Sequence, residues 1–270
     1  MDPRCTVLVS SCDDYKDIWN VFFTLFKKFW PDCPYPIVLN TEATDYSCEG
    51  LDITIFHFDK NAAWGKRLKN ALKKINSPYV IMLLDDFFFD CRVDQKQIDQ
   101  CIRWMEHDRN IVNFSFQPDY YVNIADDLFE GYELRKSTCP FLVNCQAGIW
   151  NRKQLIDLVK SHEDPWQFEV FGTIRARGYK RKKRFYVATG KKGRVFTYPI
   201  GGGIHRGQWT KDMPALLSKH AITEIDYSRR GFITEAILPD PEIKDPINPS
   251  WFKRSHSLKR YIKNWRSYLR

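Results

Sequence analysis

Apolar residues in this chain fall into short unbroken runs separated by longer amphipathic stretches. Residues 6–10 (TVLVS) form the first run and read as a buried strand, followed by the polar loop Ser11-Cys12-Asp13-Asp14. Residues 18–30 are apolar and aromatic at helical spacing, and Pro31, Pro34 and Pro36 break that helix. Residues 36–40 and 53–58 predict two further strands. Residues 63–75 set Leu68, Ala71, Leu72 and Ile75 on one face of a helix, and Ser77-Pro78 ends it before a fourth strand at 79–84. Strands apolar at nearly every position, alternating with helices, predict a parallel sheet covered on both faces.

Past Asp86 the rhythm changes. Residues 95–108 predict a helix with Ile98, Ile102 and Met105 inward, and residues 111–116 a strand. A polar, aromatic stretch runs to Lys136, then residues 141–146 predict a strand and 151–161 a helix. Asp164-Pro165 opens the next helix with proline at its first position, which sets Glu169 near the first turn. Residues 185–187 and 196–200 predict short strands, and Gly201-Gly202-Gly203 a flexible loop. Pro239, Pro241, Pro246 and Pro249 make a stiff linker, and Leu258, Tyr261, Ile262, Trp265 and Leu269 recur at helical spacing after it. The fold class expected is α/β: a Rossmann-type mixed sheet flanked by helices, with a C-terminal basic amphipathic helix. Residues 1–238 would form the main domain, and 239–270 the linker and tail.

With 43% of 270 residues apolar and 15% aromatic, the chain excludes disorder and can bury one large core or two modest ones. The net charge of +9 is concentrated: residues 251–270 hold seven Lys or Arg and no acid, and residues 175–194 hold ten and no acid. A basic amphipathic tail carrying Trp predicts attraction to an anionic membrane surface; the competing reading packs its apolar face on the domain. No nucleic-acid motif accompanies the basic runs, so no nucleic-acid partner is expected. No run approaches the roughly 20 apolar residues of a spanning helix, and Met-Asp-Pro-Arg-Cys lacks the start of a signal peptide. The expected location is therefore cytoplasmic, peripheral on the inner face of the plasma membrane. The eight cysteines form no CxxC pair and are expected reduced and mostly buried. The Asn113 sequon lies in a predicted strand, where glycosylation is not expected.

Leu83-Leu84-Asp85-Asp86-Phe87 is the sharpest chemical feature. Two carboxylates stand where a buried parallel strand ends, the position at which open α/β sheets bind ligands. Such a pair suits a hard divalent cation that also holds a diphosphate. The plainer reading is a helix cap beside a solvated acid.

Strand, basic leucine-bearing helix and then Tyr-Val-Ile-Met-Leu-Leu-Asp-Asp together resemble the nucleotide-sugar half of GT-A glycosyltransferases. Arg67 and Leu68 match the helix of that pattern, and Asp85 with Asp86 match its acidic DXD-type motif, although the order here is Asp-Asp-Phe. Ala147-Gly148-Ile149-Trp150-Asn151 and Pro165-Trp166-Gln167-Phe168-Glu169 look like bacterial capsule and lipopolysaccharide glycosyltransferases of this type. The resemblance spans roughly residues 5–210. It implies transfer of a sugar from a nucleotide-diphosphate donor to a glycan acceptor, expected to be lipid-linked, with Mn²⁺ or Mg²⁺; the mechanism favoured is direct displacement with inversion, and retention stays open.

The resemblance implies that residues 1–90 bind the donor through Ser10, Ser11, Asp13, Asn40, Trp64, Arg67 and Asp85, with Thr41 beside Asn40. Residues 91–238 would bind the acceptor. Glu169 would take the acceptor proton, with Asp164 and Glu163 in reserve, and Asp86 would hold the metal with Asp85. Trp150 and Trp166 would be acceptor platforms; each could equally be core. Past the glycines, His205 could complete a metal shell and Arg206 could offset leaving-group charge. Two other classes stay open: a sugar nucleotidyltransferase, which should carry a basic Gly-rich loop where Ser11-Cys12-Asp13-Asp14 stands, and a non-catalytic carbohydrate-binding protein.

Overall fold

The computed structural model describes residues 1–233 apart from Tyr120, Val122, Lys180, Arg181, Lys191 and Ile200. The expected proline linker and basic tail helix lie outside the described residues. In chain order the elements are β1 (Cys5–Ser10), a 3₁₀ turn (Asp13–Tyr15), α1 (Lys16–Phe29), β2 (Ile37–Thr41), β3 (Ile53–His57), α2 (Trp64–Lys74) and β4 (Tyr79–Leu84). Then come α3 (Gln95–His107), β5 (Ile111–Ser115), β6 (Ile124–Ala125), β7 (Tyr132–Leu134), β8 (Gly148–Asn151), α4 (Arg152–Leu158) and α5 (Pro165–Arg177). The last are β9 (Arg184–Ala188), β10 (Ile204–His205), β11 (Gln208–Trp209) and α6 (Met213–Lys219).

Nine strands form one mixed sheet in the order β3-β2-β1-β4-β8-β5-β9-β7-β6. The first four are mutually parallel, as their apolar runs predict. β8 enters antiparallel to both β4 and β5. Side chains alternate across the pleat, so the central strands feed two cores. Val7, Val9, Ile81 and Leu83 pack with α1 and α3 on one face. Leu8, Val80 and Met82 pack with α2, α4 and α5 on the other. The order runs outward from β1 in both directions, through β2 to β3 on one side and to β4 on the other. That reversal opens a crevice beyond the carboxyl ends of β1 and β4.

Two expected strands do not form. Residues 141–146 are irregular: Phe141 takes a left-handed φ of 50°, which an extended ladder does not admit. Their backbone is satisfied by α5 side chains instead, Val143 N donating to Thr173 Oγ1 (3.0 Å) and Cys145 N to Glu169 Oε1 (2.8 Å). The strand of this region is β8, a few residues later. Residues 196–199 hold no strand either, and Ile200 is outside the described set. There Thr197 bonds the loop after β4, its carbonyl accepting from Asp90 N (2.9 Å), while Thr197 N donates to Cys91 Sγ (3.3 Å). All eight cysteines are free thiols, four buried and four partly so. Asn113 is buried in β5, its amide donating to Ile149 O (3.1 Å). Among the described residues no helix is long and apolar enough to cross a membrane.

Candidate functional site

The β1–β4 register pairs Ser10 with Leu84, so the next residues, Ser11 and Asp85, leave the sheet side by side. Ser11 Oγ donates to Asp85 Oδ2, and Trp19 Nε1 donates both to Ser11 Oγ (2.7 Å) and to Asp85 Oδ2 (3.3 Å). Trp19 is fully buried on α1, so this carboxyl is held from behind by a rigid indole. Asp86 is gripped differently. Its carbonyl accepts from Gly203 N (2.8 Å), and its Oδ2 accepts from Ile204 N (3.4 Å). A Cβ on Gly202, whose φ is +84°, would stand 2.0 Å from Asp86 Oδ2, and one on Gly203 would stand 2.3 Å from the Phe88 ring. Gly202 and Gly203 are therefore folded against Asp86 and Phe88, where side chains have no room.

Both carboxyls are buried and carry raised pKa values. Desolvation pushes Asp85 to about 7 against the bonds from Ser11 and Trp19. Desolvation and then the Asp85 charge push Asp86 to about 8. Two adjacent acids in a low-dielectric crevice favour whatever brings positive charge to them. Their oxygens are the hard donors that Mg²⁺ or Mn²⁺ takes, and such ions bind through one or two carboxylates plus phosphate and water. Among the described residues no group of three His, Cys, Asp or Glu could hold a metal. His205 shares the crevice without joining the two acids in such a cluster. The pair thus fits a divalent ion whose remaining ligands come from substrate and solvent.

A cavity of about 600 Å³ collects most of the expected residues: Ser10, Ser11, Trp64, Arg67, Asp85, Asp86, Trp166, Glu169, His205 and Arg206. Trp64 Nε1 donates to Ser10 Oγ (3.1 Å) and its ring packs on Phe168 (5.6 Å). Gly65 lets α2 start hard against the loop before α5, where a Cβ would meet Lys160 O at 2.1 Å. Arg67 is paired with Glu42, a residue the sequence reading passed over. Glu42 also accepts from Asp13 N.

Asp13, Asn40, Thr41 and Trp150 do not line the cavity. Asp13 turns toward the segment after β2, accepting from Thr41 Oγ1 (2.6 Å) and from the backbone of Glu42, Ala43 and Thr44. Asn40 is buried at the end of β2, its carbonyl accepting from Ser11 N (3.0 Å). Trp150 is buried on β8 against Phe185 and belongs to the core. Trp166, by contrast, is 64% exposed at the cavity rim.

The acid on α5 stands apart from its neighbours. Asp164 is the N-cap of that helix in a capping box with Gln167. Glu163 is fully buried in a two-point ion pair with Arg175 (2.7 and 2.8 Å). Both reserve acids are thus occupied in structure. Glu169 alone of the three lines the cavity. Desolvation lifts it to about 7, against the Cys145 N–H bond and the charge of Arg135.

Two further features close the crevice. β10 and β11 form a hairpin whose two turn residues, Arg206 (φ 51°) and Gly207 (φ 82°), are both left-handed, the signature of a type I′ turn. Arg230 fastens this hairpin to the start of α1. It donates to Asp17 (2.7 and 2.5 Å), to Asp14 O (2.7 Å) and to Gly207 O (3.3 Å), and it covers the Tyr15 ring at 4.5 Å. Tyr15, Cys145 and Gln146 also line the cavity and were missed. Tyr15 follows the polar loop after β1 and could have been included on that ground. Nothing local to the sequence marks Arg230 or Gln146.

No family model and no curated protein matches this chain. Among solved structures it is similar to S. aureus TarS (13% identity, TM-score 0.50), over 84% of this chain and 41% of that one. The chain therefore spans about two fifths of the length of TarS. It is also similar to the mannosyltransferase PcManGT from Pyrobaculum calidifontis, in complex with GDP-Man and Mn²⁺ (14% identity, TM-score 0.46, 76% of this chain and 60% of that one). A third match is a cytidylyltransferase from Leptospira borgpetersenii serovar Hardjo-bovis (12% identity, TM-score 0.43, 73% and 82%). The likeness is one of fold, and that fold is GT-A-like.

Proposed function

We propose that the chain is a nucleotide-sugar-dependent glycosyltransferase that inverts configuration at the transferred sugar. The observation that carries this reading is that the acid pair at the β4 end and the isolated Glu169 face one cavity. Residues 1–90 hold the donor, with Ser10, Ser11, Trp64 and Arg67 around the nucleotide and Asp85 and Asp86 beneath the diphosphate. A bound Mn²⁺ or Mg²⁺ supplies positive charge to that diphosphate. Residues 91–238 receive a glycan acceptor, with Trp166 as a stacking face.

Glu169 is suited to be the base. Cys145 N engages its Oε1, so Oε2 takes the proton as the acceptor oxygen bonds the anomeric carbon and the carbon–diphosphate bond breaks. A carboxyl titrating near 7 is ionised in a useful fraction at neutral pH yet basic enough to accept that proton. Arg206 offsets charge on the departing diphosphate. The basic segment 251–270 holds the enzyme on an anionic inner leaflet near a lipid-linked acceptor of surface-polysaccharide synthesis; vesicle flotation of the chain cut after residue 250 should lose lipid binding.

The test of donor use is a thermal-shift screen against nucleotide sugars, with and without Mn²⁺, followed by product analysis. A nucleotide sugar should stabilise the chain more with Mn²⁺ than without, and turnover should release a nucleoside diphosphate. Release of pyrophosphate instead would make it a nucleotidyltransferase. Glycan binding with no nucleotide-sugar binding would make it a non-catalytic carbohydrate binder.

A further inference from the structure

Gln146 lines the cavity next to Cys145, whose backbone holds Glu169. The hydrogen bonds around it decide which way its amide faces. Tyr198 is buried and its ring stacks on Phe87 at 4.3 Å, so its hydroxyl has a fixed place. That oxygen accepts from Ala147 N (3.1 Å), a group that can only donate. A phenol has two lone pairs and one proton. One lone pair is taken by the Ala147 N–H, and the proton goes to Gln146 Oε1 at 2.7 Å. Turning the amide over would take from the buried Tyr198 O–H the carbonyl oxygen it donates to, at a cost in hydrogen bonding. Gln146 Oε1 is thus consumed, and its Nε2 has no hydrogen-bond partner among the described residues.

We infer that Gln146 is a specificity-determining residue: its Nε2 donates to an oxygen on the acceptor sugar that stacks on Trp166, and Tyr198 is the positioning residue that aims it. This rests on the glycosyltransferase reading and adds what the acceptor must carry. The acceptor needs a lone-pair oxygen (hydroxyl, carboxylate or amide carbonyl) beside the hydroxyl that reacts. A site built to hydrogen-bond a substrate oxygen rejects analogues lacking it more strongly than an apolar wall can.

The test uses the full chain and a panel of p-nitrophenyl hexopyranosides, with deoxy and fluoro analogues of the best binder, read by saturation-transfer NMR and by acceptor KM. Gln146→Glu keeps the Tyr198 bond and removes the donors; Gln146→Met removes donors and acceptor without adding charge. Both should weaken the best glycoside about tenfold, the worth of one hydrogen bond, and flatten its preference over one deoxy analogue. Tyr198→Phe should lose part of that discrimination while donor binding holds. Unchanged glycoside affinity in both Gln146 variants would overturn the inference, as would a shift in donor KM in place of acceptor KM, or a panel with no wild-type binder. Failure of the wild-type chain to bind any nucleotide sugar would instead overturn the glycosyltransferase reading, and the thermal shift reports that separately.

Discussion

Replacing Asp86 by asparagine separates the cost of the acid pair from its use. The substitution keeps the size of the side chain and the oxygen that accepts from Ile204 N, and removes the charge. In the metal-free chain it should stabilise. The gap between 3.8 and about 8, at ~1.36 kcal/mol per pH unit, sets a ceiling near 6 kcal/mol. Relaxation and water in the open crevice raise the effective dielectric and leave about 2 kcal/mol. At ~2–4 °C per kcal/mol for a chain of this size, the melting temperature should rise about 4–8 °C. The sign follows from linkage. Asp86 binds its proton more tightly folded than unfolded, so wild-type stability is greatest at low pH and is lost as pH rises from about 4 through about 8. The gain in Asp86→Asn should therefore be full above pH 8 and vanish toward pH 4. Manganese should reverse the order at pH 8, stabilising the wild type and leaving the variant where it was. Differential scanning fluorimetry at pH 5 and pH 8.5, with and without Mn²⁺, reads all four conditions. An asparagine variant less stable than wild type at pH 8.5 without metal, or equally displaced at both pH values, would refute the claim that buried charge at Asp86 is costly and held for a cation.

Glu169→Gln should lower kcat by about 10²–10⁴ with donor KM unchanged. Wild-type turnover should rise with pH through about 7, as the base ionises, and that limb should be absent in the variant's pH–rate profile. Gly202→Ala pushes a methyl into Asp86 Oδ2 at a φ of +84°; urea denaturation should show a loss of about 1–3 kcal/mol, and the Mn²⁺-induced melting shift should disappear. Arg206→Gly should act in the opposite sense on stability. It relieves a left-handed non-glycine residue at the hairpin tip, worth about 1 kcal/mol in the same denaturation assay, while kcat falls for want of the guanidinium.

Much of the fold was legible because its first half is written locally. The runs at β1, β2 and β4 are buried at both pleat faces, and a parallel sheet between helix layers buries both. The misreadings share one cause. Residues 141–146 are as apolar as a strand, and periodicity cannot tell a buried strand from a buried irregular segment when the backbone finds side-chain partners. Those partners, Thr173 and Glu169, lie 30 and 24 residues away on α5. The β10–β11 hairpin escaped for another reason: two-residue strands are shorter than any window that carries a period.

The site divides along the same line. Asp85, Asp86 and Glu169 could be found because each sits at a position the chain marks locally, a strand end or the start of a proline-opened helix. Choosing Glu169 over Glu163 and Asp164 could not be done that way. All three acids lie within one turn or two, and what sorts them is contact. Arg175 claims Glu163, the capping box claims Asp164, and among the described residues Glu169 has a hydrogen bond from Cys145 N at one of its two oxygens. Trp150 and Trp166 show the converse. Both are tryptophans beside expected site motifs, yet β8 is central in the sheet and buries one, while the second turn position of α5 leaves the other exposed at the rim. An acid or an aromatic therefore becomes available for chemistry here when the partners that would have satisfied it are spent elsewhere. Those partners come from distant parts of the chain, which is why this half of the site appears only in three dimensions.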